Sequence, residues 1–111
     1  MVVTAKGVTQ AFTGHALSQA FDDIPSEVVE RTKLLFLDYL GVAFGGAQVV
    51  ESSGPIIDGV RELAAGAPGD ASVLGGGAPL PAHYAALINA TLAHSMDFDD
   101  THREGILHIG T

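Results

Sequence analysis

The chain has 111 residues, with 5 Lys and Arg against 13 Asp and Glu, a formal net charge of −8 and no cysteine. Phosphate neutralisation needs clustered cations, so this balance argues against a nucleic-acid partner, and the missing thiols exclude disulfides and thiolate metal sites. Charged residues make up 16% where about 25% is usual, although so small a domain has much surface to solvate, and part of that surface is therefore expected to be buried against more polypeptide, a second chain or both.

A first helix is expected over residues 4–21, with Phe12, Ala16, Leu17 and Ala20 at helical spacing. Pro25 suits the first position of a second helix, whose dipole favours Asp22 and Asp23 near its start. From Leu34 onward that helix is apolar on every side, through Leu35, Phe36, Leu37, Leu40, Val42 and Phe44. A helix of that kind is expected to be buried all round. Gly45 and Gly46 are expected to stop it. A third helix over residues 55–65 has Ser53 as its cap and a stripe of Ile56, Val60, Leu63 and Ala64, and Gly66-Ala67-Pro68-Gly69 ends it. Ala71-Ser72-Val73-Leu74 reads as a short strand or extended arm closed by Gly75-Gly76-Gly77. That triple glycine is a turn and not a phosphate loop, because the spacing is wrong and no Lys-Ser/Thr follows. A fourth helix starts near Pro81 and runs at least to His94, with Leu87, Ile88 and Leu92 to anchor it.

No Asp, Glu, Lys or Arg occurs from Ala71 to Met96. That run is long enough to span a bilayer, but its glycines, two prolines, two histidines and Asn89 make it a poor membrane helix. The N-terminus lacks the basic start and compact apolar core of a signal peptide. The chain is therefore expected to be soluble and cytoplasmic, and all-α without the alternation of a doubly wound sheet.

Directly after the uncharged run come His94-Ser95-Met96-Asp97-Phe98-Asp99-Asp100-Thr101-His102, and then His108. Crowded carboxylates raise one another's pKa and a neighbouring imidazole lowers it, which is how proton-transfer groups come to work near neutral pH. At about 100° per residue, His83, Ala90, His94, Asp97 and Thr101 share one narrow sector, provided the fourth helix continues. Three plainer readings compete. The aspartates can be a solvated helix end, or at least one of them, such as Asp100 before Thr101, can serve turn and capping chemistry. His94, Asp97, Asp99, Asp100, His102 and His108 are also all competent ligands for zinc or non-haem iron. Their spacing matches no metal signature, however, with no His-Glu-x-x-His and no final acid for a DDxxD motif, so no metal is expected. His83 is expected to be structural.

The pieces Leu37-Asp38-Tyr39-Leu40-Gly41-Val42-Ala43-Phe44-Gly45-Gly46, Ser72-Val73-Leu74-Gly75-Gly76, Ala85-Ala86-Leu87-Ile88-Asn89-Ala90, the run from His94 to His102, and His108-Ile109-Gly110 occur in an order and spacing that resemble the N-terminal part of the MmgE/PrpD family. That family includes 2-methylcitrate dehydratases, cis-aconitate decarboxylases and iminodisuccinate epimerases. The resemblance implies cofactor-free enzymes, usually homodimers, with a large helical domain and a smaller α/β domain enclosing the active site. Residues 1–111 would then be the N-terminal segment of the helical domain, completed by the remainder of the chain or by a second polypeptide in a homo- or hetero-oligomer.

Carried over by position, Asp97, Thr101 and His108 match active-site residues of the decarboxylase-like members, and His94 and His102 are expected at the substrate. Ile109 stands where the family usually has proline, and the segment 103–107 is slightly longer than in the decarboxylases. The implied activity is a lyase or isomerase reaction on a small di- or tricarboxylate, by proton transfer next to a carboxylate and without a cofactor. The alternative is a non-catalytic helical subunit serving assembly or binding.

Overall fold

The computed structural model describes residues 5–110. The fold is all-α: helices α1 (Ala5–Ser18), α2 (Ser26–Val49), α3 (Ser53–Ala64) and α4 (Ala82–His94), with a 3₁₀ turn at Phe21–Asp23. Among the described residues the only strand-like pairings are two isolated antiparallel bridges, Ala71 with Leu80 and His102 with Leu107. Thr4, the expected start of the first helix, lies outside the described residues. Two units divide the chain, residues 1–32 and 33–111, with the boundary inside α2.

In the first unit α1 ends at Ser18, whose hydroxyl donates to the His15 carbonyl (2.8 Å). Ala20 therefore lies beyond the helix. The Asp23 carboxylate accepts the Ala20 N–H (3.1 Å), so this aspartate secures the turn. The Pro25 carbonyl accepts from Val28 and Val29, placing the proline just ahead of α2.

The second unit holds the core: Ala43, Val60, Ala64, Val73, Leu80, Ala85, Ile88, Leu92 and Ala93. Ile88 and Leu92 anchor α4 as expected, whereas Leu87 is exposed. Two expectations for α2 are corrected. The helix passes through Gly45 and Gly46 to Val49. A Cβ at Gly46 would run into the Leu92 carbonyl oxygen and the Ser95 hydroxyl, so glycine there permits a close helix approach and does not act as a stop. Nor is the helix buried all round: Leu34, Phe36, Leu37 and Phe44 are exposed within this chain.

Ser53 is the first residue of α3 and not its cap. Its hydroxyl is buried and donates to the Gly46 carbonyl (2.8 Å), stapling the start of α3 to α2. Ala65, in the left-handed region at φ 50°, closes α3. The segment 71–80 then makes the expected arm and turn. Asn89 on α4 clamps it at both ends of its amide, accepting from Leu74 N–H (2.9 Å) and donating to the Ser72 carbonyl (3.0 Å). Arg61 holds the far side through the carbonyls of Gly76 (2.9 Å) and Ala78 (3.0 Å). The uncharged run is thereby divided between an arm, a turn and a 13-residue helix. Among the described residues no single helix is long and apolar enough to cross a membrane.

Candidate active site

The fourth helix does not continue past His94. The Ser95 hydroxyl takes the Leu92 carbonyl (2.8 Å), competing with the backbone in the way that ends helices. Asp97 then turns left-handed at φ 54°, with its N–H on the His94 carbonyl (2.9 Å). Aspartate is among the few residues that enter this region readily. The shared helical sector of His94, Asp97 and Thr101 therefore does not exist. The sharp turn instead swings the chain back over the end of α4.

The result is a cluster centred on Asp99, whose side chain is only 2% exposed. His94 Nδ1 lies 3.1 Å from Asp99 Oδ2 and 3.2 Å from Oδ1, and His108 Nδ1 lies 3.0 Å from the same Oδ2. The two imidazoles meet edge to face with ring centres 4.6 Å apart. Asp97 completes the group: ligand-type atoms of His94, Asp97, Asp99 and His108 all lie within 4.8 Å of one another. His94 and Asp97 face solvent while His108 is half-buried.

Opposing effects act on the Asp99 carboxyl. Burial pushes its pKa up, but the hydrogen bond from His94, a backbone hydrogen bond and the charges available on His108 and His94 pull it down and prevail.

Of the residues singled out from sequence, the fold gathers Asp97, His94 and His108. Thr101 and His102 lie on the exposed segment that joins Asp99 to His108, and His102 is not one of the cluster's ligand-type residues. His102 is engaged in its own turn: Nδ1 accepts the Gly105 N–H (3.1 Å), Nε2 lies 3.5 Å from Glu104 Oε2, and its backbone pairs with Leu107. Asp100 accepts the Gly110 N–H (3.0 Å), which makes it the aspartate with turn chemistry. Asp99, considered in the sequence only as one of several ligands, is the hub. No sequence signal separated it from Asp97 and Asp100; in the fold Phe98 is exposed and Asp99 buried.

His94 also lines an open cleft of about 520 Å³ together with Ser52, Ile56, Ala90, Thr91 and Ser95. Helix α4 thus presents one imidazole both to the buried carboxylate and to a cavity large enough for a small organic acid. A carboxylate that accepts from Nδ1 fixes an imidazole's orientation and leaves Nε2 for proton exchange.

Residues 10–111 match the MmgE/PrpD N-terminal domain. The chain is 36% identical over 102 residues to a cis-aconitate decarboxylase of Aspergillus terreus, an alignment covering 92% of this chain and 20% of that protein. It is 32% identical over 99 residues to a cis-aconitate decarboxylase of Mus musculus, covering 86% of this chain and 19% of that protein. It thus spans about a fifth of the length of the curated relatives it matches. No solved structure matches it significantly. The helical fold, the acid-and-imidazole run and the match over nearly its whole length lead to one conclusion: this chain belongs to the MmgE/PrpD family.

Proposed function

We propose that the chain contributes proton-transfer and substrate-holding groups to a cofactor-independent lyase acting on a small di- or tricarboxylate, of the 2-methylcitrate dehydratase or cis-aconitate decarboxylase kind. The observation that carries this reading is the convergence of two imidazoles on one buried carboxylate, His94 and His108 Nδ1 at 3.1 and 3.0 Å from Asp99 Oδ2. Family membership and the decarboxylases among the relatives support the reaction class.

In this reading Asp99 accepts Nδ1–H from His94 and lies at ion-pair distance from His108 Nδ1, and His108 Nε2 exchanges a proton with the substrate carbon next to a carboxylate. In decarboxylation the C–C bond to the departing CO2 breaks, its electron pair stays on that carbon, and the protonated imidazole supplies the replacing proton. In dehydration the same nitrogen removes the proton as hydroxide leaves the neighbouring carbon. His94, between the carboxylate hub and the cleft, holds a substrate carboxylate as imidazolium. Asp97 sits beside His94 and orients it or a bound acid, while Thr101 and His102 donate hydrogen bonds to the substrate from the exposed segment. The remainder of the enzyme, in the same or a second polypeptide, covers the apolar face of α2 that Leu34, Leu37 and Phe44 leave open.

The test is turnover of cis-aconitate and of 2-methylcitrate by the complete protein with His108→Ala. Loss of the proton-transfer group is expected to lower kcat by about 10² or more with a smaller change in KM. Near-normal turnover would reject the role.

A further inference from the structure

We propose that Thr91 is a specificity-determining residue of the open cleft beside His94, its side-chain oxygen accepting a hydrogen bond from a hydroxyl group on the bound acid. The assignment rests on the lyase reading and narrows its substrate class to a hydroxycarboxylate. The cleft, of about 520 Å³, is lined by Ser52, Ile56, Ala90, Thr91, His94 and Ser95, and an acid's carbon chain can lie against Ile56 and Ala90. Its polar groups differ in what they can still offer. His94 Nδ1 is held by Asp99 at 3.1 Å, which leaves Nε2 for the cleft, where the imidazolium donates to a carboxylate. Ser52 precedes α3 and makes no capping hydrogen bond, so its hydroxyl can also donate to the ligand.

Thr91 is different. Its hydroxyl proton is spent on the Leu87 carbonyl, 2.7 Å away along α4. Only acceptor capacity remains on its oxygen, and an ionised carboxylate has no proton to give it. Ser95 is committed in the same way to the Leu92 carbonyl (2.8 Å), but its oxygen is pressed against Gly46, where a Cβ would not fit. Thr91 is therefore the acceptor that the cleft leaves open. An acid that carries a hydroxyl satisfies that oxygen, and an acid without one covers it unpaired. The other common donor, an ammonium group, finds no carboxylate among the residues lining the cleft. Of the two acids in the lyase reading, 2-methylcitrate carries a hydroxyl and cis-aconitate does not.

The experiment is calorimetric titration of the complete protein with citrate and with propane-1,2,3-tricarboxylate, which differ only by a hydroxyl. The parent is expected to bind citrate at least about fivefold more tightly. Thr91→Val has the shape of threonine without the oxygen. It is expected to bring citrate down to the affinity of the other acid, whose own binding stays as it was, and Thr91→Ser is expected to keep the preference. His94→Gln is expected to weaken both acids by the same factor, because both present a carboxylate. Equal affinities in the parent, a preference that survives in Thr91→Val at unchanged far-UV circular dichroism, or no saturable binding of either acid would overturn the assignment. His108 does not line this cleft. A failed preference therefore leaves the His108→Ala turnover test standing, and near-normal turnover in that variant rejects the lyase role without altering which acid binds more tightly.

Discussion

Asp99 stands at the centre of the acid-and-imidazole cluster, between two imidazoles. Its carboxyl is held below the ordinary carboxylate value because the hydrogen bond from His94 and the charges of His108 and His94 outweigh burial. A carboxyl whose pKa is lower folded than unfolded adds stability above its unfolded pKa of about 3.9, and loses it as pH falls through the folded value. Unfolding in urea followed from pH 7 to pH 2 is therefore expected to show an acid limb that begins below about pH 4. Asp99→Asn is expected to be less stable than the parent near neutrality, with the difference vanishing in acid. A constant difference across the range would contradict the contribution of ionised Asp99. The segment in which the cluster forms was legible, because three aspartates and three histidines closing an uncharged run stand out by composition alone. The sequence did not single out Asp99, because counting helical turns through Ser95 and Asp97 assumes a backbone that reverses at Asp97 instead.

Helix existence was legible from apolar spacing, and among the described residues four α-helices occur where four were expected. Helix ends were less legible, since they depend on partners distant in sequence. Gly46 is the clearest case: it reads as a stop, yet its lack of a Cβ lets α2 pass against the backbone of α4. Gly46→Ala would gain about 1 kcal/mol in helix propensity, but its new methyl would meet the Leu92 carbonyl oxygen, which cannot rotate away. Overpacking of this kind costs about 1–3 kcal/mol or more, so a lower thermal midpoint is expected, by several degrees for a domain of this size. An unchanged or raised midpoint would show that the helices separate freely. Asn89 plays a comparable part for the extended arm. Asn89→Ala strands the part-buried Leu74 N–H and the Ser72 carbonyl, at a cost of about 1–3 kcal/mol. Hydrogen exchange at the Leu74 amide is expected to speed up ahead of exchange in the α4 core.

Across the whole chain, low charge and high hydrophobicity correspond to a visible feature, the exposed Leu34, Leu37 and Phe44 on α2. Composition revealed that such a surface must exist, but not that it lies on the helix expected to be buried on every side. Expressed as this chain alone, the protein is expected to self-associate with rising concentration in sedimentation velocity, and Leu34→Glu with Leu37→Glu is expected to reduce that association. The functional account rests on one arrangement within this chain, a buried carboxylate that hydrogen-bonds His94 Nδ1 and stands 3.0 Å from His108 Nδ1. The most direct test is the 15N NMR of the histidine rings in the parent and in Asp99→Asn. A neutral His94 ring that favours the Nδ1–H tautomer, with that preference lost in the variant, is the expected result. Ring nitrogens with the tautomer balance of a free histidine, unaffected by Asp99→Asn, would contradict the account.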